Sequence, residues 1–150
     1  MNIGVEGELG HIGSAADGVP TDYTTVEEAK KYVDGTGVAA LAVAVGTAHG
    51  RYKQAPVLAI DRIKEIKDAV GTPLVLHGGS GVPDDQIKLA IEAGIRKINF
   101  GTDICYSFLD AIFEVDRSIV GIDVFMREPI ECVKRFAISK IELLGANGRA

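Results

Sequence analysis

The sequence has no tryptophan, few aromatic residues and no excess of basic residues. Aromatic side chains make up 6% of the 150 residues, and 16 lysines and arginines stand against 21 aspartates and glutamates, for a formal net charge of −5. A negative chain is repelled by phosphate backbones, and the sequence has no stripe of lysine or arginine interleaved with aromatics. Nucleic-acid binding is therefore not expected.

Long hydrophobic runs are also absent, although hydrophobic residues make up 47% of the chain. No apolar run approaches the roughly 18–20 residues of a membrane span. The opening residues Met-Asn-Ile-Gly-Val-Glu lack the basic region and the apolar segment of a signal peptide. The two cysteines, Cys105 and Cys132, lie in predicted helices without ligand-like spacing. We therefore expect reduced thiols in a cytoplasmic protein with no membrane partner.

What the sequence does have is a regular alternation of short apolar runs and amphipathic stretches. It predicts strands over residues 3–8, 38–45, 72–76 and 97–100, and helices over 26–34, 59–69, 84–93, 103–116 and 128–144. Such alternation is typical of parallel strands joined by right-handed crossovers. Four strands in this rhythm fit half of a (β/α)8 barrel or a small open sheet. A complete barrel typically needs about 250 residues, so this chain is too short to close one alone.

Two histidines occupy matching places in consecutive strand-to-loop turns. His49 lies in Gly-Thr-Ala-His-Gly after the second strand, and His77 lies in Leu-His-Gly-Gly-Ser-Gly after the third. Parallel strands bring such turns to one edge of the sheet, where ligand and metal sites are found. Neutral imidazole is a common zinc ligand, so the pair predicts a metal site; the alternative is two loop histidines with ordinary hydrogen bonds. His11, after the first strand, is a weaker candidate for a third ligand.

Two glutamates alternate along the first predicted strand. Glu6 and Glu8 are two residues apart, so their side chains share one face. Carboxylates that face a barrel interior need a cation or hydrogen-bond donors. Glu8 is therefore a candidate metal ligand, and the alternative is an edge strand with a solvated face.

Two glycine-containing turns that precede helices predict a phosphate site. In the first, Gly78, Gly79 and Ser80 offer backbone N–H groups and a hydroxyl ahead of a helix N-terminus. The second lies between the fourth strand and its helix, and either it contributes to the same site or its Thr102 or Asp103 simply caps the helix; its residues are Asn99, Phe100, Gly101, Thr102 and Asp103. Lys53 and Lys97 could assist an anion electrostatically or be solvated.

Together these segments resemble the carboxyl-terminal half of a class II, zinc-dependent ketose-bisphosphate aldolase of the fructose-bisphosphate and tagatose-bisphosphate type. The matching segments are Val-Glu-Gly-Glu-Leu-Gly at 5–10, Gly-Thr-Ala-His-Gly-Arg-Tyr-Lys at 46–53, Leu-His-Gly-Gly-Ser-Gly at 76–81, Lys-Ile-Asn-Phe-Gly-Thr-Asp at 97–103, and the ending at 140–150. The resemblance covers essentially the whole chain and implies a (β/α)8 TIM barrel of which this chain is about the second half, one domain over residues 1–150.

The resemblance also implies roles for individual residues. His49 and His77 match two of three zinc-binding histidines, and Glu8 matches an alternative metal position. The residues that match positions binding dihydroxyacetone phosphate are Gly50, Gly78, Gly79, Ser80, Asn99, Phe100, Gly101 and Thr102, with Asp103 close to that substrate. Zinc is the implied cofactor, with a monovalent cation as an additional candidate. The first zinc histidine and the acid–base aspartate belong to an amino-terminal half that this chain lacks, so its own catalytic residue is unknown.

The implied activity is aldol cleavage or condensation of a ketose bisphosphate, giving dihydroxyacetone phosphate and an aldehyde, with this chain alone incomplete. One departure concerns the loop after Gly13, where Ala15 and Ala16 stand where relatives often carry an acidic residue and where Asp17 is nearby. The alternatives are a non-catalytic phosphosugar-binding or regulatory subunit, and an unrelated phosphosugar barrel fragment. The open edges of a half barrel predict homo-oligomerisation or pairing with the missing half.

Overall fold

The computed structural model describes residues 3–15 and 22–149. Its strands are β1 (Glu6–Leu9), β2 (Ala40–Val43), β3 (Leu74–Leu76) and β4 (Ile95–Ile98). Its helices are α1 (Val26–Thr36), α2 (Ile60–Ala69), α3 (Asp84–Ala93), α4 (Thr102–Phe113), α5 (Ile122–Phe125) and α6 (Arg127–Leu143). The predicted alternation is confirmed. The fourth strand begins two residues earlier than predicted, and the short α5 was not predicted.

The four strands form one parallel sheet in the order β1-β2-β3-β4. Gly7 pairs with Leu41, Leu41 with Leu74, and Leu76 with Ile98, with an irregularity in the β3–β4 register between Leu74 and Val75. Because all strands run the same way, their carboxyl ends meet at one edge, as the sequence pattern predicts.

Burial is concentrated in the two inner strands and the helices that cover them. In β2 and β3, Leu41, Val43, Leu74 and Leu76 are fully buried. Ile63 and Ile66 of α2 and Ile87 of α3 are fully buried as well. Apolar residues spaced three or four apart place one face of each helix against the core. The second strand, β2, is therefore almost wholly buried.

Local sequence signals fix the ends of these helices. Thr25 caps α1: its hydroxyl accepts a hydrogen bond from the Glu28 N–H (3.2 Å), and the Glu28 carboxylate accepts one from the Thr25 N–H (3.0 Å). This reciprocal pair is a capping box. Gly94 follows α3 with φ +132° and donates its N–H to the Ala90 carbonyl.

The chain divides into two compact units, residues 1–100 and 101–150. The first contains the sheet with α1, α2 and α3. The second is helical: α4 packs against α6, and α5 also contacts α6. In the part of the chain that the structure describes, no helix has the length and apolar character needed to cross a membrane.

Candidate active site

The turns after β2 and β3 bring His49 and His77 together. Their ring centroids are 6.3 Å apart, with the ring planes inclined by 51°. His49 is exposed, whereas the His77 side chain is only 13% exposed. The strand order accounts for this proximity, because β2 and β3 are adjacent and end at the same edge.

His77 lies between two carboxylates from β1. Its Nε2 is 3.0 Å from Glu6 Oε1 in a hydrogen bond, and its Nδ1 is 3.2 Å from Glu8 Oε2. Glu6 and Glu8 therefore share a face, as their spacing predicts. A neutral imidazole carries one N–H, so it donates to only one of these carboxylates at a time.

Glu6 also joins the two outer strands of the sheet. Its Oε2 accepts a hydrogen bond from Lys97 Nζ of β4 at 2.7 Å. Three strand spacings, about 14 Å in a flat sheet, separate β1 from β4, so the sheet curves and these side chains lie on its concave face. The hydrogen bond from Lys97, followed by that from His77, holds the pKa of Glu6 below its ordinary value.

Glu6 and Glu8 are only partly shielded from solvent. Their side chains are 30% and 47% exposed, because β1 lies at one edge of the sheet. The alternative of a solvated edge strand is nearer to the structure. It is incomplete, however, since both carboxylates are directed at His77.

The backbone of His49 is held by the loop that follows β1. His49 N–H donates to the Gly13 carbonyl and the His49 carbonyl accepts from Ala15 N–H, both at 2.8 Å, as an isolated parallel bridge centred on Ser14. Gly50 follows with φ +104°, a conformation that favours glycine. The turns after β1 and β2 are thus joined at the residue that carries the imidazole.

Tyr52 joins the two histidine turns, a role that sequence reasoning missed. Its hydroxyl oxygen accepts from the Ala48 N–H at 2.7 Å, and its O–H has two acceptors within reach, the carbonyls of Ala48 (2.8 Å) and Gly78 (3.0 Å). Burial raises the pKa of this phenol. Each partner is the direct neighbour of His49 or His77, so Tyr52 fixes the spacing of the two turns.

The glycines of the turn after β3 allow close approach of backbone to backbone. Gly78 has φ +67°, and a Cβ there would lie 2.5 Å from the Ala48 carbonyl oxygen. A Cβ on Gly79 would lie 2.6 Å from Ile98 Cγ2. The Gly79 N–H donates to the Asn99 carbonyl at 3.0 Å. This N–H is therefore engaged by the backbone of the next turn, and the assignment of Gly79 and the buried Ser80 to a phosphate site stays a prediction.

The turn after β4 ends the first unit and opens the second. Asn99 donates its N–H to the Leu76 carbonyl at 3.0 Å, and Phe100 closes the first unit. The alternative in which Thr102 or Asp103 caps the next helix does not hold: Gly101 is the N-cap, without a side-chain cap hydrogen bond. Thr102 and Asp103 instead lie in the first turn of α4, where the helix dipole stabilises the negative charge of the Asp103 carboxylate.

The donor set partly fits a zinc ion. In tetrahedral zinc sites the bonds measure about 2.0–2.2 Å, so two donor atoms stand about 3.4 Å apart. The 3.2 Å between His77 Nδ1 and Glu8 Oε2 is close to that separation. Within residues 3–15 and 22–149, no group of three or more His, Cys, Asp or Glu side chains is arranged to hold a metal ion. The described residues thus offer a partial set of ligands.

Other residues singled out in the sequence lie in different settings. His11 is exposed, and Ala16 and Asp17 lie outside the described residues. Thr47, which precedes the His49 turn, is 2% exposed, and its hydroxyl has no hydrogen-bond partner within the described part of the chain. A threonine in a glycine-flanked turn gives no sequence signal for this position.

The chain also matches known proteins over its whole length. The family model for class-II fructose-bisphosphate aldolase matches residues 1–149. The uncharacterized protein YdjI of Escherichia coli (strain K12) is 41% identical over 157 aligned residues, covering 100% of this chain and 55% of that protein. The chain therefore spans about half the length of this curated relative.

Solved structures give the same extent of similarity. The crystal structure of the YdjI aldolase from Escherichia coli K12 aligns with a TM-score of 0.85 at 40% identity, covering 99% of this chain and 52% of that one. Fructose-bisphosphate aldolase from Campylobacter jejuni aligns with a TM-score of 0.70 at 26% identity, covering 95% and 52%. The four parallel strands and their helices correspond to about half of a TIM barrel. The chain belongs to the class II fructose-bisphosphate aldolase family.

Proposed function

We propose that this chain supplies part of the metal and phosphosugar site of a zinc-dependent aldolase. The reaction is aldol cleavage or condensation of a ketose bisphosphate of the fructose or tagatose 1,6-bisphosphate type, which gives dihydroxyacetone phosphate and an aldehyde. The observation that carries the proposal is the placement of His77 between Glu6 and Glu8, with His49 beside it. Family membership supports the reaction class.

In this proposal His49, His77 and Glu8 hold the metal. Zinc, when bound, acts as a Lewis acid that polarises the ketone oxygen of the substrate. The third histidine and the acid–base residue belong to the half of the barrel that these residues do not include, as the resemblance implies. The isolated chain is therefore expected to be inactive or nearly so. A monovalent cation stays an additional candidate cofactor.

The turns after β3 and β4 hold dihydroxyacetone phosphate. Gly78 and Ser80 contribute from the turn after β3, and Gly50 contributes from the turn after β2. Asn99 directly follows β4. The other positions assigned to the substrate are Gly79, Phe100, Gly101, Thr102 and Asp103. Anchoring the phosphate orients the carbon atoms that react. Because the Gly79 N–H is engaged by Asn99, Gly79 contributes by close packing and not as a donor.

A non-catalytic phosphosugar-binding subunit is the second candidate. Ala15 favours it, because this residue stands where relatives often carry an acidic residue. Ala15 is also buried and holds the His49 carbonyl through its N–H. The segment after Gly13 that the structure describes thus serves to position His49.

Binding of dihydroxyacetone phosphate distinguishes the two candidates. Isothermal titration calorimetry is performed on the zinc-loaded chain, on the chain treated with chelator, and on His77→Ala. The aldolase proposal expects binding that is lost with zinc and with His77. His11→Ala is the matched control, because His11 is exposed and takes no part in the contacts that join His77 to Glu6, Glu8 and His49. Binding that persists unchanged after chelation would contradict the aldolase proposal and favour the non-catalytic subunit.

We also propose that the chain associates through its outer strands, with a further copy or with the missing half. Within the described residues, β1 and β4 each pair with one strand only. Unpaired strand edges recruit partners. A cytoplasmic location is part of the proposal and is supported by the two free cysteines. Sedimentation at micromolar concentration tests the association, and a strictly monomeric chain would contradict it.

A further inference from the structure

We infer that Glu6 positions His77: it accepts a hydrogen bond from Nε2 and so directs Nδ1 to the metal. The inference rests on the proposed function, because it takes His77 to be a metal ligand. It assigns different roles to two glutamates that the sequence presents as equivalent. Glu6 acts through His77, whereas Glu8 is the carboxylate on the metal side.

The first observation is that Glu6 is fixed at both oxygens. Oε1 is hydrogen-bonded to His77 Nε2 at 3.0 Å, and Oε2 accepts from Lys97 Nζ at 2.7 Å. Lys97 comes from the opposite edge of the sheet, so the contact depends on the curvature of all four strands. Glu6 is also the less exposed of the two glutamates, at 30% against 47% for Glu8.

The second observation concerns the other nitrogen. Glu8 Oε2 lies 3.2 Å from His77 Nδ1, which is near the separation of about 3.4 Å between two ligand atoms on one zinc ion. A metal on the Nδ1 side can therefore take both groups with small movements. On the Nε2 side the Glu6 carboxylate is also held by Lys97 Nζ at 2.7 Å, so it is the less available of the two carboxylates to a metal.

The two observations together describe a carboxylate–histidine pair. A histidine that binds a metal through one nitrogen usually donates the N–H of the other to a carboxylate, which fixes the tautomer and the orientation of the ring. Loss of such a partner typically lowers metal affinity about 10–100-fold. Lys97 extends the arrangement, because it donates to the Glu6 carboxylate that is hydrogen-bonded to the His77 ring.

Zinc affinity tests the inference, measured by competition with a chromogenic chelator on the 150-residue chain. We expect Glu6→Ala to weaken zinc binding about 10–100-fold. Glu6→Gln keeps an acceptor for Nε2 and should recover most of the loss, and Lys97→Met should fall between. The matched control is Glu131→Ala, which removes a glutamate paired with Lys134 on α6. Affinity in Glu6→Ala equal to that of Glu131→Ala would overturn the inference.

A spectroscopic measurement separates positioning from a general structural effect. In the cobalt-substituted chain, Glu6→Ala should change the visible d–d absorption of the metal, and Glu6→Gln should restore it. Glu131→Ala should leave the spectrum as in the wild type. A changed affinity with an unchanged spectrum in Glu6→Ala would contradict positioning of His77.

Failure of the proposed function gives a different result from failure of this inference. If the wild type binds no zinc, the metal proposal fails, and the tautomer of His77 in the metal-free chain decides the inference. Nitrogen-15 NMR at pH 8.5, where an ordinary imidazole is neutral, reports that tautomer. We expect the proton on Nε2 in the wild type and on Nδ1, facing Glu8, in Glu6→Ala. A wild-type ring protonated on Nδ1 overturns the inference; zinc bound through His49 and His77 but insensitive to Glu6 does so as well.

Discussion

The inner and outer strands of the sheet differ in burial and in charge. The inner strands β2 and β3 are almost completely buried, with Leu41, Val43, Leu74 and Leu76 inaccessible to solvent. The outer strands β1 and β4 are largely exposed and carry the charges of Glu6, Glu8 and Lys97. The inner strands thus provide stability and end in the two histidines, while the outer strands provide the charged groups that surround them.

This difference shows which strands are fully covered by other parts of the same chain. An inner strand has two strand neighbours and helices to cover it, so its apolar side chains need nothing further. In the described part of the chain an outer strand has one strand neighbour, and Val5, just before β1, is 64% exposed. Relatives about twice as long have additional chain that can cover such edges.

The largest expected effect is in the inner strands. Leu74→Ala should destabilise the chain by about 2–5 kcal/mol, because it leaves a cavity between β2, β4 and the covering helices. Val5→Ala is the control at the edge, and it should change the stability by no more than about 0.5 kcal/mol. Urea denaturation measures both. Equal losses would contradict the comparison, because Val5 would then be buried in solution.

A glycine comparison tests the contact between the inner turns. Gly78→Ala combines a positive φ with a Cβ placed 2.5 Å from the Ala48 carbonyl oxygen, whereas Gly50→Ala has φ +104° but open space within 4 Å. We expect Gly50→Ala to cost about 1–3 kcal/mol from backbone strain alone. Gly78→Ala should cost more, because the turn after β2 must also shift. Thermal denaturation ranks them, and a smaller loss for Gly78→Ala is the contrary result.

The tyrosine that joins the same turns should have a smaller effect on stability. Tyr52→Phe leaves the Ala48 N–H and two carbonyls without the hydroxyl, for a loss of about 1–3 kcal/mol. Because His49 and His77 are then less well aligned, zinc affinity should fall as well. Tyr32→Phe on α1, outside both histidine turns, is the matched control. Denaturation and chelator competition measure both effects, and unchanged zinc affinity would contradict a positioning role for Tyr52.

The smallest expected effect lies in α1, the helix after the outer strand β1. Ala29 is the one residue of α1 that is buried, and a capping box closes the start of the helix. Hydrogen bonds from Thr25 lower the pKa of Glu28. A lowered pKa in the folded state contributes stability above the ordinary value near 4.5, and this contribution is lost as the pH falls through the lowered pKa.

Glu28→Gln should therefore be less stable than the wild type at pH 7, and the difference should shrink as the pH falls below 4. Helical circular dichroism during denaturation at several pH values measures it. Glu27→Gln, in the same first turn, is the control. A difference that grows towards low pH would contradict the role of the ionised carboxylate in the cap.

The sequence was sufficient to predict the alternation of strands and helices and the meeting of His49 with His77, because a parallel array brings successive turns to one edge. It also predicted that Glu6 and Glu8 share a face. The Glu6–Lys97 contact could not be predicted, since it joins residues 91 positions apart and depends on the curvature of the sheet. The bonds of Tyr52 depend on where two turns place their carbonyls, which periodicity does not specify.

The start of β4 and the N-cap of α4 both differ from the sequence prediction, and each difference has a physical cause. The fourth strand begins at Ile95, and its early residues Arg96 and Lys97 are charged, so the sequence there does not resemble a buried strand. An outer strand tolerates such residues because one side faces solvent. The cap of α4 is Gly101, one residue before the predicted candidates, and its sequence has no side-chain oxygen to indicate the position.

Zinc content is the most direct test of the central claim that the ends of the inner strands and the glutamates of β1 form a metal site. The metal is measured by elemental analysis after purification without chelator, in the wild type, His49→Ala, His77→Ala and His11→Ala. We expect near-stoichiometric zinc in the wild type and His11→Ala, and loss in the other two. Zinc that is absent from the wild type, or that survives loss of both His49 and His77, would contradict it.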